Sequence, residues 1–450
     1  MITTRTRAHG RRTAIATAVT VLALISAGCS APAKDPPTMP PAPAASTGVS
    51  TGASTPAPGS GLKSIDQGAL QALVDATIKE QLIPGAVFVL DTPQGDFTAA
   101  SGTTERGVDR PPDARDPLPD RLEPKTMTSA VVLQLAQEGK LGLQDPVPKY
   151  VSGVPGGENI TVAELLKMRS GLYNHTNSPV MATSIDDDPT KAWTPQELLD
   201  IAFAQPANFA PDAEFEYSNT NYALLGLVIE RVDGKPLATA FHDRLFEPLG
   251  MLNTELPVGT SNSIPEPYSH GYLYGSSSVA LFGTPEYTPE QIAGAKDGSF
   301  QPTDYTDVNH SFAYAAGGVI STANDLARWM NALVGGKVFD AQYQKIWLDS
   351  VQLEDPGNPA GQWYGYGIAR QSWGPNTLLL HGGETAGCNS AMVVETTNDV
   401  TLVVWTNLTV DVDSMRQTAN SLMLKVLDQI YVQSPLARVS ASSAAATPNG

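Results

Sequence analysis

Two cysteines in 450 residues, Cys29 and Cys388, are too few for a disulfide framework. Histidine is also scarce. The six present are scattered, with no His-Glu-x-x-His and no Cys-x-x-Cys, so no metal or other cofactor is expected. Positive charge is short as well: 28 Lys and Arg stand against 46 Asp and Glu, a formal net charge of -18. Such a balance argues against nucleic acid as a partner and against polybasic membrane binding, and it fits solubility outside the cell. The acid run Asp186-Asp187-Asp188 beside Pro189 reads as a solvated loop rather than a calcium site. No internal repeat is visible. What the chain does have is apolar side chains, 41% of the total, enough for a sizeable core.

The first residues read as an address. Arg5, Arg7, Arg11 and Arg12 precede an apolar stretch at residues 13–25 that is too short for a comfortable membrane span. Ser26-Ala27-Gly28-Cys29 follows, and small residues before a cysteine at this point resemble a bacterial lipobox, with Ser26 where an aliphatic residue is usual. Residues 1–28 are therefore expected to be a signal peptide. Cys29 is the expected lipidation site, anchoring the protein to the outer face of the cell membrane. Residues 29–62 are rich in Pro, Ala, Ser, Thr and Gly and read as a flexible tether, because they offer too little apolar surface to offset ordering. A domain over 63–433 and a disordered tail over 434–450 complete the expected organisation.

Ser64-Ile65-Asp66-Gln67 fits a capping box with Ser64 as N-cap, and Leu70, Leu73, Val74, Thr77 and Ile78 then share a helix face. Gly85–Asp91 is a β-rich run that turns at Thr92-Pro93-Gln94-Gly95 into a second strand. Near the other end, Leu378–Leu380 reads as a short strand. Ser390–Glu395 and Val400–Thr406 read as a hairpin, and Met415–Tyr431 as a helix with Leu422, Val426 and Ile430 on one stripe. The economical architecture is α/β of the α+β kind. One antiparallel sheet is built from both chain ends and covered by helices, with an inserted, mostly helical region and a cleft at the boundary.

Four segments carry a resemblance. KTMTSAVVLQLAQEGKLGLQDPVPKYVSGVPGGENITVAELLKMRSGL at 125–172 begins with Lys125. Tyr217-Ser218-Asn219 precedes a helix-like run and PLGM at 248–251. AAGGVISTANDLARWMNAL spans 315–333, and His381-Gly382-Gly383-Glu384 stands in LLLHGGETAGCNSAMVV. In this order they resemble the penicillin-recognising serine hydrolases: β-lactamases, D,D-carboxypeptidases and related esterases. The resemblance covers roughly 85 to 435 and implies the β-lactamase/transpeptidase-like fold. It assigns Lys125, Tyr217 and His381 to catalysis, and Asn219, Gly382, Gly383 and Glu384 to substrate binding. In such a family the serine of Ser-x-x-Lys attacks, and the lysine one helical turn on shares its face as the base. The tyrosine relays a proton and backbone N–H groups hold the oxyanion.

The serine is missing. Three residues before Lys125 stands Leu122, within Arg121-Leu122-Glu123-Pro124-Lys125, and leucine has no nucleophilic atom. Pro124 disfavours helical geometry at Glu123, and Arg121 replaces a glycine, so the first turn is expected to be reshaped. Ser60-Gly61-Leu62-Lys63 is formally Ser-x-x-Lys but lies in the tether, Thr126 should point off the lysine's face, and Ser129 lies deeper in a buried helix. Glu123 could activate a water, and Cys388 reads as a buried thiol. The resemblance therefore implies a surface lipoprotein that binds a cell-wall peptide, lactam or ester without acyl-enzyme chemistry. The alternatives are an active hydrolase with a noncovalent or displaced nucleophile, and a purely structural lipoprotein whose cleft is filled by side chains.

Overall fold

Segments more than 300 residues apart in the chain meet in one sheet. The computed structural model describes residues 61–117, 124–257 and 261–433. The expectations for residues 1–28, Cys29, the tether before residue 61, Ser60, Arg121, Leu122, Glu123 and the 434–450 tail lie outside them.

The strands in chain order are β1 (Gly85–Thr92), β2 (Gly95–Gly102), β3 (Tyr272–Leu273), β4 (Thr303–Asp304), β5 (Gln352–Leu353), β6 (Trp363–Tyr364), β7 (Ala369–Trp373), β8 (Asn376–Thr385), β9 (Cys388–Glu395) and β10 (Val400–Thr406). Strands β3 and β4 pair with each other, while the rest form one antiparallel sheet in the order β2-β1-β10-β9-β8-β7-β6-β5. The central strands are buried on both faces, which is why β1 and β10 read as unbroken apolar runs. Alternation sorts their side chains. Ala86, Phe88, Leu90, Leu402 and Val404 join a core beneath the terminal helices. Val87, Val89, Val403 and Trp405 join the core of the helical region on the other face.

One terminal helix is Gln67–Glu80, on which Leu70, Val74 and Thr77 are buried. Its N-cap is Asp66, not Ser64: the Asp66 carboxylate accepts the Ala69 N–H at 2.7 Å. Aspartate caps as well as serine does, and Gln67 is drawn instead to β2, where its side-chain amide donates to the Thr98 carbonyl at 2.8 Å. The other is Thr418–Ile430, with Leu422, Val426 and Ile430 buried as its stripe predicts.

Strand β8 is longer than the expected Leu378–Leu380 and carries the His-Gly-Gly segment within it. The glycines do not break it because β9 pairs with it along Leu378–Thr385. The β7 ladder, by contrast, stops at Leu380, one residue before His381. In the helical region the segment Lys125–Gln137 is a nearly engulfed helix, buried at every position except Gln134 and Gln137. It packs on the Asn219–Asp233 helix. No helix among the described residues is long and apolar enough to cross a membrane.

Candidate active site

The helix that carries Lys125 starts at that residue, with Pro124 as its N-cap at φ -70°. Proline's fixed φ suits a helix entrance, and its missing N–H costs nothing there. Lys125 is 1% exposed. Its ammonium donates to the Ala316 carbonyl at 2.8 Å and lies 4.7 Å from the centre of the Tyr217 ring and 5.7 Å from that of Tyr222. Burial makes these contacts matter: a desolvated ammonium over a ring face gains about 2 kcal/mol. The Ala315 carbonyl, next in the chain, accepts from the Thr128 hydroxyl at 2.7 Å, so the 315–316 turn grips the first helical turn twice.

Gly367 closes against the same turn. Its φ is +70°, and a Cβ there would stand 2.4 Å from Ser129 Oγ and 2.6 Å from the Lys125 carbonyl oxygen. Only glycine lets the segment before β7 come that close.

Thr126 and Ser129 face away from the lysine's task. The Thr126 hydroxyl accepts the Trp329 indole N–H at 2.9 Å. Ser129 donates to the Tyr222 hydroxyl at 3.0 Å, because Tyr222 donates its own proton to the Leu166 carbonyl at 2.9 Å. Cys388 is a buried thiol.

Tyr217-Ser218-Asn219 enters the Asn219–Asp233 helix with Ser218 extended at the cap. The loop is fastened to residues 168–176. Glu216 N–H donates to the Met168 carbonyl at 3.1 Å, Asn219 N–H to Asn174 Oδ1 at 3.0 Å, and the Asn219 side-chain amide to Thr176 Oγ1 at 3.0 Å. Asn219 therefore holds the loop, while Tyr217, 36% exposed, presents its ring to both solvent and Lys125.

His381 sits on the face of β8 that looks into the helical region, opposite Met392. Its Nδ1 lies 2.9 Å from the Gly382 carbonyl, which only accepts, so Nδ1 carries the proton of the neutral ring. Nε2 then accepts from the Tyr364 hydroxyl at 3.1 Å. The Tyr364 ring meets Tyr217 edge-on at 6.2 Å and Phe215 at 5.6 Å. Lys125, Tyr217, Tyr364 and His381 thus form one wall, drawn from a helix start, a loop and the strands β6 and β8.

Tyr364 is the member that sequence reading missed. Its signal was the glycine-dense run Trp363-Tyr364-Gly365-Tyr366-Gly367, whose spacing marks close backbone approach.

Gly382 and Glu384 occupy the other face of β8, by the period of two. A Cβ on Gly382 would stand 3.6 Å from Asn420 Oδ1, and Glu384 accepts from the Gln417 side chain at the start of the Thr418–Ile430 helix. Their side-chain positions therefore do not join the wall. Gly383 shares the His381 face. Behind the wall lies His175, fully buried, with Nε2 3.0 Å from the Phe312 carbonyl and Nδ1 3.2 Å from Thr220 Oγ1. Burial pushes its pKa down to about 4. The Phe312 hydrogen bond opposes that shift, and the Lys125 charge adds to it.

Among the described residues, the one grouping of three metal-capable side chains is His242, Asp243 and Glu247. All three are exposed, and none belongs to this wall.

Comparison with known proteins gives the geometry its context. A family model described as Beta-lactamase matches residues 70–425. PbpX of Bacillus subtilis (strain 168), a candidate penicillin-binding protein, is 26% identical over 257 residues, which is 57% of this chain and 54% of PbpX. The chain thus spans about half the length of that curated relative. Among solved structures, a D-stereospecific amidohydrolase from Streptomyces sp. superposes with a TM-score of 0.67 at 27% identity, covering 80% of this chain and 98% of that one. D-amino acid amidase from Ochrobactrum anthropi SV3, complexed with L-phenylalanine amide, gives 0.67 at 26% identity, covering 80% and 97%.

Proposed function

The chain belongs to the Beta-lactamase family of serine hydrolases, and from that premise we propose that it is a ligand-binding member without acyl-enzyme chemistry. The carrying observation is a pairing. The wall Lys125–Tyr217–Tyr364–His381 is assembled, yet the residue three before Lys125 in the sequence is Leu122. A serine hydrolase stripped of its nucleophile loses on the order of 10⁶ in turnover, while a residual ~10³–10⁴ over water can survive through binding and oxyanion contacts. The candidate ligand is a cell-wall peptide, lactam, ester or amide, held along β8 beyond Leu380, where the β7 ladder has ended. Amides of D-amino acids come first, because the amidohydrolase and the amidase are among the structures it superposes on. The protein would act as a surface sensor or sequestering module, tethered through a lipidated Cys29.

An active hydrolase using water or a displaced nucleophile is the competing reading, favoured by the retained, buried Lys125. Titration with D-phenylalanine amide and with an N-acyl-D-alanyl-D-alanine peptide, followed by intrinsic fluorescence and by product analysis, separates the two. We expect saturable binding, weakened at least tenfold by His381→Ala, with no product. Turnover abolished by Lys125→Ala would establish the competing reading, and absence of binding would sink both.

A further inference from the structure

A concavity lies behind the turn that holds Lys125. It measures about 390 Å³ and is lined by Trp193, Pro195, Leu237, Leu256 and Tyr314, with Glu230 as its one carboxylate. The helix Asn219–Asp233 supplies Glu230 and the short helix Tyr314–Gly317 supplies Tyr314. Gly226 lets the two approach, since a Cβ there would stand 2.5 Å from the Tyr314 ring. From Tyr314 the chain passes directly to the Ala315 and Ala316 carbonyls that grip Thr128 and Lys125. The cavity and the wall are therefore opposite sides of one turn.

Its chemistry is not that of the wall. The lining is mostly apolar and contains neither lysine nor arginine among the described residues. Glu230 is half-buried and is held by the Leu237 N–H, which donates to Oε1 at 2.9 Å. One carboxylate oxygen is thus fixed in the wall of the cavity. Burial, and after it the charge of the same carboxylate, push the Tyr314 phenol pKa up. The other ionisable lining group, His310, has Nδ1 2.8 Å from the Val308 carbonyl and so carries its proton there when neutral. A concave apolar chamber of this size with one anchored anion suits a ligand with an apolar body and a single positive end.

We propose that this cavity is a second small-molecule site, selective for an apolar primary amine whose ammonium pairs with Glu230. The pairing follows from charge complementarity. An ammonium entering a mostly apolar chamber needs an anion to offset its desolvation, and a neutral alcohol of the same shape does not. Anions are excluded for the converse reason.

The test uses 2-phenylethylamine and its neutral counterpart 2-phenylethanol, titrated into the full-length protein and followed by calorimetry and ligand-observed NMR. The amine should bind with a Kd of about 1 mM or tighter, the range open to so small a ligand, and more tightly than the alcohol. Glu230→Gln keeps an acceptor for the Leu237 N–H and removes the charge. It should weaken the amine at least tenfold and leave the alcohol unchanged. Ala238→Trp, in the lining of the cavity, should abolish both and keeps the proposal testable if Glu230→Gln does not fold. His381→Ala, on the other side of the turn, should leave amine binding intact. Equal affinity for amine and alcohol, amine binding that survives Ala238→Trp, or amine binding lost in His381→Ala would overturn the assignment.

Discussion

Acidification should destabilise this protein through His175. The ring is wholly buried, and desolvation is the largest influence on it, lowering its pKa from 6.5 to about 4. The hydrogen-bond pattern alone would welcome a proton, since an imidazolium could donate to both Thr220 Oγ1 and the Phe312 carbonyl. Burial and the nearby Lys125 charge outweigh that gain. The folded state therefore prefers the neutral ring. Between pH 6.5 and about 4 the unfolded chain binds a proton that the folded chain refuses, so stability rises with pH across that window and falls as pH is lowered through it. Below about 4 both states are protonated and no further loss comes from this group. A gap of about 2.5 units at roughly 1.4 kcal/mol each makes the full loss on the order of 3 kcal/mol. Urea unfolding at half-unit steps from pH 7.5 to 4, for the wild type and for His175→Gln, isolates the effect. The glutamine cannot titrate but can still donate to the Phe312 carbonyl. The variant should be less stable at pH 7, and its stability should fall by about 3 kcal/mol less between pH 6.5 and 4. Parallel pH profiles for the two proteins would refute the reasoning.

Three further substitutions probe the wall. Tyr364→Phe removes the hydroxyl that donates to His381 Nε2. It should cost about 1–2 kcal/mol in urea unfolding and shift the His381 ¹⁵N resonances toward mixed tautomers, whereas unchanged nitrogen shifts would mean the hydroxyl does not set the ring. Gly367→Ala places a Cβ against Ser129 and the Lys125 carbonyl at φ +70°, and should lower stability by about 2–4 kcal/mol in thermal melts. Leu122→Ser alone should restore little hydrolysis of D-amino acid amides, because Pro124 still opens the helix and Arg121 still stands in place of glycine. Full activity from that change, read by amine release, would show the turn geometry to be intact.

The sheet was legible because its physics is local. β1 and β10 are apolar runs of strand length between turn residues, and the terminal helices carry clean stripes. The extent of β8 was not, because Gly382 and Gly383 have no strand preference and are held extended by pairing with Ala391 and Ser390. The cap at Asp66 was not legible because two capping residues, Ser64 and Asp66, compete two positions apart, and Gln67 is drawn to β2 rather than back to Ser64. At the site, motif order located Lys125, Tyr217 and His381, but not the part each side chain plays. That Asn219 fastens its own loop, and that Glu384 turns to Gln417, follows from partners distant in sequence. Tyr364 joins the wall through an edge-on ring contact and a single hydroxyl, and neither leaves a periodic trace.

Intact-mass spectrometry after incubation with a labelled penicillin and, separately, with a fluorophosphonate reads the chemistry at the wall directly. An unshifted mass with both reagents, alongside labelling of a control serine hydrolase, is the predicted result. A stoichiometric adduct mapped to any side chain around Lys125, Tyr217 and His381 would contradict the account.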